Sequence, residues 1–107
     1  MKKISIITVL YNSDSVIEGC LNSISKFEDP NVVEVILVDN NPDSNFNQEI
    51  LKKYLISIKY IKSKYNGGFG YGNNLGVSIA KGEILFFLNP DTILTESISN
   101  NTIKNLN

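Results

Sequence analysis

Residues 32–40, VVEVILVDN, decide the fold of this chain. The first seven are apolar and mostly β-branched except for Glu34, and such a nearly unbroken run is typical of a parallel strand covered on both faces. The run ends abruptly in Asp39 and Asn40. The sequence therefore predicts a buried strand over residues 32–38 whose carboxyl end carries polar side chains.

Three further strands are predicted on either side of this run. Residues 3–10 and 83–88 are again nearly continuous apolar stretches, which indicates burial on both faces. Residues 56–61 alternate between apolar and polar side chains, which predicts a strand with one wet face at an edge of the sheet.

Helical patterns fall between and after the strands. Apolar residues from Val16 to Ile24 recur at helical spacing behind Ser13 and Asp14, either of which can cap the N-terminus. Further helices are predicted over residues 46–54, 73–81 and 93–106, the second of them ended by Gly82, with a glycine-rich loop over residues 65–72. The order βαβαβαβα predicts an α/β domain with a mostly parallel sheet flanked by helices, in which ligands bind beyond the carboxyl ends of the strands.

Composition excludes several classes of function. The 107 residues suit one domain, and a net charge of -1 argues against a nucleic-acid binder. The chain has no His and no Arg, so it has neither a Ser-His-Asp triad nor a guanidinium clamp for phosphate. No apolar stretch reaches the roughly 18 residues of a membrane helix. The lone Cys20 cannot form an internal disulfide and is expected to be buried on a helix, as suits a reducing compartment.

Two nucleotide motifs and one calcium motif are absent. The glycine cluster at residues 67–72 follows the third predicted strand, and Leu75 stands where a dinucleotide-binding fingerprint needs its last glycine. No Gly-Lys-Ser/Thr of a P-loop occurs. The loop that begins at Asp39 has Ser44 and Ile50 in place of the glycine and the glutamate of an EF-hand.

Three features at predicted strand ends remain as candidates. Asp39 is either a loop turn or cap, or an acceptor for hydrogen bonds from a nucleoside. Asp91 is either a cap in a plain turn, or a carboxylate aimed at a divalent metal that carries a diphosphate. The glycine cluster is either flexible punctuation, or backbone that approaches a ligand closely and offers helix amides to an anion.

Five blocks in order resemble the family 2 glycosyltransferases of the GT-A fold. They are SIITVLYN at 5–12, CLNSI at 20–24, VILVDN at 35–40, NGGFGYGNNLG at 66–76 and KGEILFFLNPDT at 81–92. The Asn-Gly-Gly-Phe and Leu-Asn-Pro-Asp blocks look most like the rhamnosyltransferase-like branch. The resemblance covers nearly the whole chain and implies a Rossmann-like GT-A half that binds a nucleotide sugar.

The resemblance also implies roles for particular residues. Thr8 and Tyr11 would line the nucleoside pocket, Asp39 would bind the base or ribose, and Asp91 would hold Mg²⁺ or Mn²⁺ on the diphosphate. The full set of expected donor-contacting residues is Thr8, Tyr11, Asn12, Asp39, Asn40, Gly68, Phe69, Gly70, Asn73 and Asn89. Two positions depart from the family pattern. Asp43 lies one residue too close to Asp39, and Asn89 stands where the first acid of a D-x-D motif is usual.

Family members continue into a half that binds the acceptor and supplies a catalytic base. Residues 1–107 are therefore expected to be a single donor-binding domain cut short at its C-terminus, with no catalytic residue assigned within it. The implied activity is transfer from a UDP- or dTDP-sugar to a saccharide or lipid-linked saccharide acceptor in polysaccharide biosynthesis. The implied location is the cytoplasm, with peripheral contact at the inner membrane face left open.

Two alternatives to an active transferase stay open. One is a non-catalytic remnant of such an enzyme. The other is a different nucleotide-binding α/β module, such as a receiver domain. A receiver needs an acid pair directly after its first strand, where this chain has Tyr11 and Asn12.

Overall fold

The computed structural model describes residues 2–106, with the side chains of residues 2–102. One four-stranded sheet forms in the order β3-β2-β1-β4. Its strands are β1 (Ile4–Leu10), β2 (Val33–Asp39), β3 (Ser57–Lys62) and β4 (Ile84–Phe87). Every pairing is parallel. The predicted sheet and the edge position of β3 are confirmed.

The helices are α1 (Asp14–Phe27), a 3₁₀ helix (Gln48–Lys53), α2 (Gly68–Ile79) and α3 (Ile98–Leu106). Alternate side chains of the central strands bury against different layers, because successive residues of a strand point to opposite faces. Ile6 and Val35 lie in the core that includes α1, whereas Ile7 and Ile36 lie in the core beside α2. The predicted order is confirmed, with the 3₁₀ helix in the second helical place. None of the described helices combines the length and apolar character needed to cross a bilayer.

Most of the glycine cluster belongs to a helix, so the loop predicted over residues 65–72 is wrong for residues 68–72. Helix α2 begins at Gly68, and two of its glycines, Gly72 and Gly76, face the sheet. A Cβ added to Gly76 would lie 2.5 Å from Ile7 Cγ2, and one added to Gly72 would lie 2.9 Å from Val9 Cγ1. The helix therefore packs closer to the sheet than any other residue would permit, and this packing outweighs the roughly 1 kcal/mol helical cost of each glycine.

Gly82 does not end the helix as predicted. Helix α2 stops at Ile79, and Ala80 follows in extended conformation. A Cβ on Gly82 would lie 2.6 Å from the Ile4 carbonyl carbon and from the Ser5 nitrogen. Gly82 is required because two stretches of backbone meet there.

Three other elements differ from prediction. The second helix is a short 3₁₀ helix, in which the Asn47 side chain accepts from the Glu49 amide at 3.1 Å. Strand β4 is only half-buried, since β1 is its sole partner among the described strands. Helix α3 begins at Ile98 rather than residue 93, because the Glu28 carboxylate accepts from the Ile98 amide at 2.6 Å and so fixes the first turn.

A polar network is buried between the sheet and the end of α2. The Glu34 carboxylate accepts from Ser5 Oγ at 2.6 Å and from the Lys81 amide at 2.7 Å, and it pairs with Lys59 Nζ at 3.0 Å. Burial raises the pKa of Glu34, but these hydrogen bonds and the charge of Lys59 outweigh it and leave the pKa below its ordinary value. Glu34 is therefore ionised and joins three segments of the chain.

Replacing Glu34 by Gln tests this network. We expect Glu34→Gln to lower the free energy of unfolding at pH 7 by about 1–3 kcal/mol, since buried donors and the partly exposed Lys59 lose their charged partner. The lowered pKa means that the stabilisation is present above the unfolded value of 4.5 and is lost as pH falls through the folded value. Urea denaturation at pH 7 and pH 3 measures both effects.

Glu83→Gln, which breaks the exposed pair with Lys3, is the control and should cost under about 0.5 kcal/mol. Equal losses in both variants would contradict the interpretation.

A glycine substitution tests the close packing of α2. Gly76→Ala should destabilise the fold by about 1–3 kcal/mol through overpacking against Ile7, despite the better helix propensity of Ala. Gly70 is the matched control, because a Cβ there meets nothing within 4 Å. Thermal unfolding should show Gly70→Ala to be neutral or slightly stabilising. A stable Gly76→Ala variant would mean that the helix does not need this approach.

Candidate functional site

Parallel strands end at one edge of the sheet, and the polar groups of this chain gather there. The last residues of β1 and β2, Leu10 and Asp39, are register partners, and Lys62 of β3 pairs with Asp39. The loop after β4 leaves the same edge. In open α/β sheets this edge is where ligands bind.

Asp39 is a buried carboxylate held by two donors. It is 2% exposed and is the last residue of β2 rather than the first residue of the loop. Its Oδ2 accepts from the Tyr60 hydroxyl at 2.5 Å, and its Oδ1 accepts from the Asn41 amide at 3.1 Å. Two lone-pair positions are left, so the carboxylate can still accept from a ligand donor.

Tyr60 is a site residue that the sequence did not reveal. Its ring stacks on Phe46, with ring centroids 5.2 Å apart. Burial, and next the hydrogen bond to Asp39, raise the pKa of Tyr60, so the phenol stays protonated and donates. The sequence predicts the alternation of β3, but not that β3 pairs with β2. That pairing brings Tyr60 next to Asp39.

Asn40 faces the opposite side of the sheet. Its Nδ2 donates to the Gly68 carbonyl at 2.6 Å, and its backbone amide donates to the Leu10 carbonyl at 2.8 Å. Its Oδ1 is buried and has no hydrogen-bond partner among the described residues. Gly68 has φ +87°, a conformation that favours glycine. Asn40 thus connects β2 to the first turn of α2.

The residues at the end of β1 differ in accessibility. Thr8 is 1% exposed, and its Oγ1 has no partner among the described groups. Tyr11 is 53% exposed. Asn12 has φ +52°, and its Oδ1 accepts from Asn41 Nδ2 at 2.8 Å. Tyr11 and Asn12 therefore present surface at this edge, whereas Thr8 lies beneath it.

The first turn of α2 is open to solvent. Phe69 is 55% exposed, and Gly70 is exposed with nothing within 4 Å of an added Cβ. Asn73 Oδ1 is buried and lacks a partner among the described residues. The Gly68 amide donates to Asn66 Oδ1 at 3.3 Å. The next N–H groups of a helix have no partner within the helix, so the amides after Gly68 offer donors to an anion.

Asn89 and Asp91 lie in the turn after β4, closed by a hydrogen bond from the Thr92 amide to the Asn89 carbonyl at 3.0 Å. Both side chains are exposed. The residues that follow Asp91 pack on α1, since a Cβ added to Gly19 would lie 3.0 Å from Ile93 Cδ1 and the Leu94 amide donates to Ser23 Oγ at 2.9 Å. Burial, and next the negative charge of Asp91, raise the pKa of Cys20 to about 11. Asp43, which is exposed, is held apart from Asp39 by a loop turn in which its amide donates to Asn41 Oδ1 at 3.0 Å.

The donor atoms near Asp91 suit a hard cation only in part. No group of three or more His, Cys, Asp or Glu side chains suited to a metal occurs within the described part of the chain. Asp91 and Asn89 nevertheless offer side-chain oxygens at an open position. Mg²⁺ is commonly held by one or two carboxylates together with substrate phosphates, so these residues fit a metal that arrives with a diphosphate.

The chain is similar in sequence to a teichoic acid biosynthesis protein and to a poly(ribitol-phosphate) glycosyltransferase. The chain is 31% identical over 106 residues to the minor teichoic acid biosynthesis protein GgaB of Bacillus subtilis, covering 94% of this chain and 11% of that protein. It is 32% identical over 103 residues to the poly(ribitol-phosphate) beta-N-acetylglucosaminyltransferase TarP of Staphylococcus aureus, covering 90% of this chain and 30% of that protein. The chain thus spans a third or less of the length of these relatives.

The fold matches a solved structure that holds a nucleotide sugar. Residues 1–349 of S. aureus TarS, in complex with UDP-GlcNAc, superpose with a TM-score of 0.82 at 29% identity, over 95% of this chain and 30% of that one. The architecture is that of the GT-A glycosyltransferases. The family model described as "Glycosyl transferase family 2" matches residues 5–103. The chain therefore belongs to the family 2 glycosyltransferases.

Proposed function

We propose that this chain binds a UDP- or dTDP-sugar at the carboxyl edge of its sheet, as the donor-binding domain of a glycosyltransferase. The observation that carries the proposal is the Asp39 carboxylate, which is buried at the end of a central strand and oriented by Tyr60 at 2.5 Å. A carboxylate fixed in this way is already oriented to accept hydrogen bonds from a neutral ligand when the groups that cover it move aside. The N–H and O–H groups of a nucleoside supply such bonds.

The nucleoside lies between the ends of β1 and β2 in this proposal. The remaining lone pairs of Asp39 accept from the base or ribose. The half-exposed ring of Tyr11 offers an apolar surface to the base, and Asn12 borders it. Thr8 supports this surface from below, and its unpartnered Oγ1 is available if the strand end adjusts to a ligand.

The diphosphate lies against the first turn of α2 and the Asp91 loop. The chain has no Arg, so the backbone amides of Phe69 and Gly70, which follow Gly68, replace a guanidinium clamp. Asp91, with Asn89, would hold Mg²⁺ or Mn²⁺ there. A divalent cation stabilises the negative charge that the departing diphosphate gains. The residues assigned here hold the donor, and none is proposed as the base.

The relatives support a uridine nucleotide and a surface-polymer acceptor. TarS holds UDP-GlcNAc in its solved complex, and TarP is named for transfer of N-acetylglucosamine to poly(ribitol phosphate). We propose by analogy that the acceptor is a saccharide or lipid-linked saccharide polymer. The rhamnosyltransferase-like branch, the cytoplasmic location and the 1–107 domain boundary stay predictions.

The role of Asp39 is tested with bare nucleoside. Asp39→Asn keeps the shape of the side chain but gives up one acceptor oxygen and the charge. We expect it to weaken uridine or thymidine binding by about 10–100-fold, as loss of a hydrogen bond to a charged group implies. Isothermal calorimetry measures the affinity. Asp43→Asn removes the same charge from the exposed loop and should bind as wild type does. Unchanged nucleoside affinity in Asp39→Asn would refute the assignment.

The role of Asp91 is tested through metal dependence. UDP affinity should fall when EDTA replaces Mn²⁺ in the wild type, and Asp91→Asn should lose most of this difference. Its thermal midpoint in metal-free buffer should stay within about 2 °C of wild type, because the side chain is exposed. Glu96→Gln is the charge-matched control from the following exposed segment. A large loss of stability in Asp91→Asn would show instead that Asp91 caps the turn.

A further inference from the structure

We propose that Asn40 is a positioning residue for the diphosphate of the donor. Its side chain holds the first turn of α2 at the carboxyl edge, and it acts on the ligand only through that turn. This inference rests on the proposed function. It gives Asn40, which the sequence predicts to contact the donor directly, a role through contacts with the protein instead.

Asp39 and Asn40 are neighbours at the end of β2, and their side chains lie on opposite faces of the sheet. Asp39 bonds to Tyr60 on one face, and Asn40 bonds to the Gly68 carbonyl at 2.6 Å on the other. Asn40 is 3% exposed, and its Nδ2 is 3.1 Å from the position of a Cβ added to Gly72. One strand end therefore sets the place of the nucleoside and, through the next residue, the place of α2.

The contact fixes the part of α2 that an anion would meet. Gly68 has φ +87°, and its carbonyl bonds to Asn40. The N–H groups of the following residues stay open at the exposed end of the helix, where the helix dipole favours negative charge. Because the chain lacks Arg, the strength of phosphate binding depends on how well these amides are held in place.

The unpartnered oxygen of Asn40 supports a role beyond packing. Oδ1 is buried without a partner among the described residues, and such a group costs free energy. Rotating the amide would bring Oδ1 against the Gly68 carbonyl, so two acceptors would face each other. Asn40 Oδ1 thus stays without a partner while Nδ2 donates to the Gly68 carbonyl at the α2 N-terminus.

Asn40→Asp tests the inference, because it is nearly isosteric but replaces the donor by an acceptor. With Mn²⁺ present, calorimetry of the 107-residue chain should show UDP binding weakened at least about tenfold and uridine binding changed less than about threefold. The exposed Asn45→Asp adds the same charge in the next loop and controls for long-range repulsion. It should leave both affinities within about twofold of wild type.

Parallel loss of UDP and uridine affinity in Asn40→Asp would indicate a general structural role and overturn the inference, as would unchanged UDP binding. A wild type that binds neither probe would overturn the proposed function, and the inference with it. If Asn40→Asp does not fold, Asn40→Ala decides, because it removes the donor to the Gly68 carbonyl without adding a charge. It should show the same difference between the two probes, with UDP affinity lowered at least about tenfold and uridine affinity changed less than about threefold. Equal loss of both affinities would overturn the inference.

Discussion

The close approach of helix α2 to the sheet is the constraint on which the rest of the structure depends. Gly72 and Gly76 let the helix lie directly on Val9 and Ile7, and Gly82 lets the chain return to β4 past the Ile4 backbone. A thicker helix face would lift the N-terminus of α2 off the end of β2. Asn40 could then no longer reach Gly68, and the two halves of the candidate site would separate.

Local pattern was sufficient for most of the fold. The unbroken runs around Ile6 and Ile36 predicted the buried central strands, and the alternation before Tyr60 predicted the edge strand. The pattern failed at residues 68–72, because a cluster of glycines ordinarily indicates a loop, whereas Gly76 fell inside the predicted helix. At Gly72, as at Gly76, the cost of helical glycine is offset by contact with the sheet, which is a long-range effect that no local window contains.

The sequence identified those candidate site residues that can be recognised from their position at the end of a single strand. Asp39 and Asp91 follow apolar runs, and a polar residue at the tip of a buried strand is visible in sequence. The partners of Asp39 and Asn40 were not visible. Tyr60 lies 21 residues from Asp39 and Gly68 lies 28 from Asn40, so each contact requires the order of the strands and the start of α2.

The raised pKa of Cys20 has a practical consequence. This cysteine is fully buried on α1, and burial with the nearby charge of Asp91 raises the pKa of its thiol to about 11. Thiolate is the reactive form, so Cys20 resists alkylation in the native state near neutral pH. A second cysteine placed on an exposed loop will then carry a fluorophore or spin label selectively. The natural chain thus serves directly as the background for spectroscopic probes of its own ligand edge.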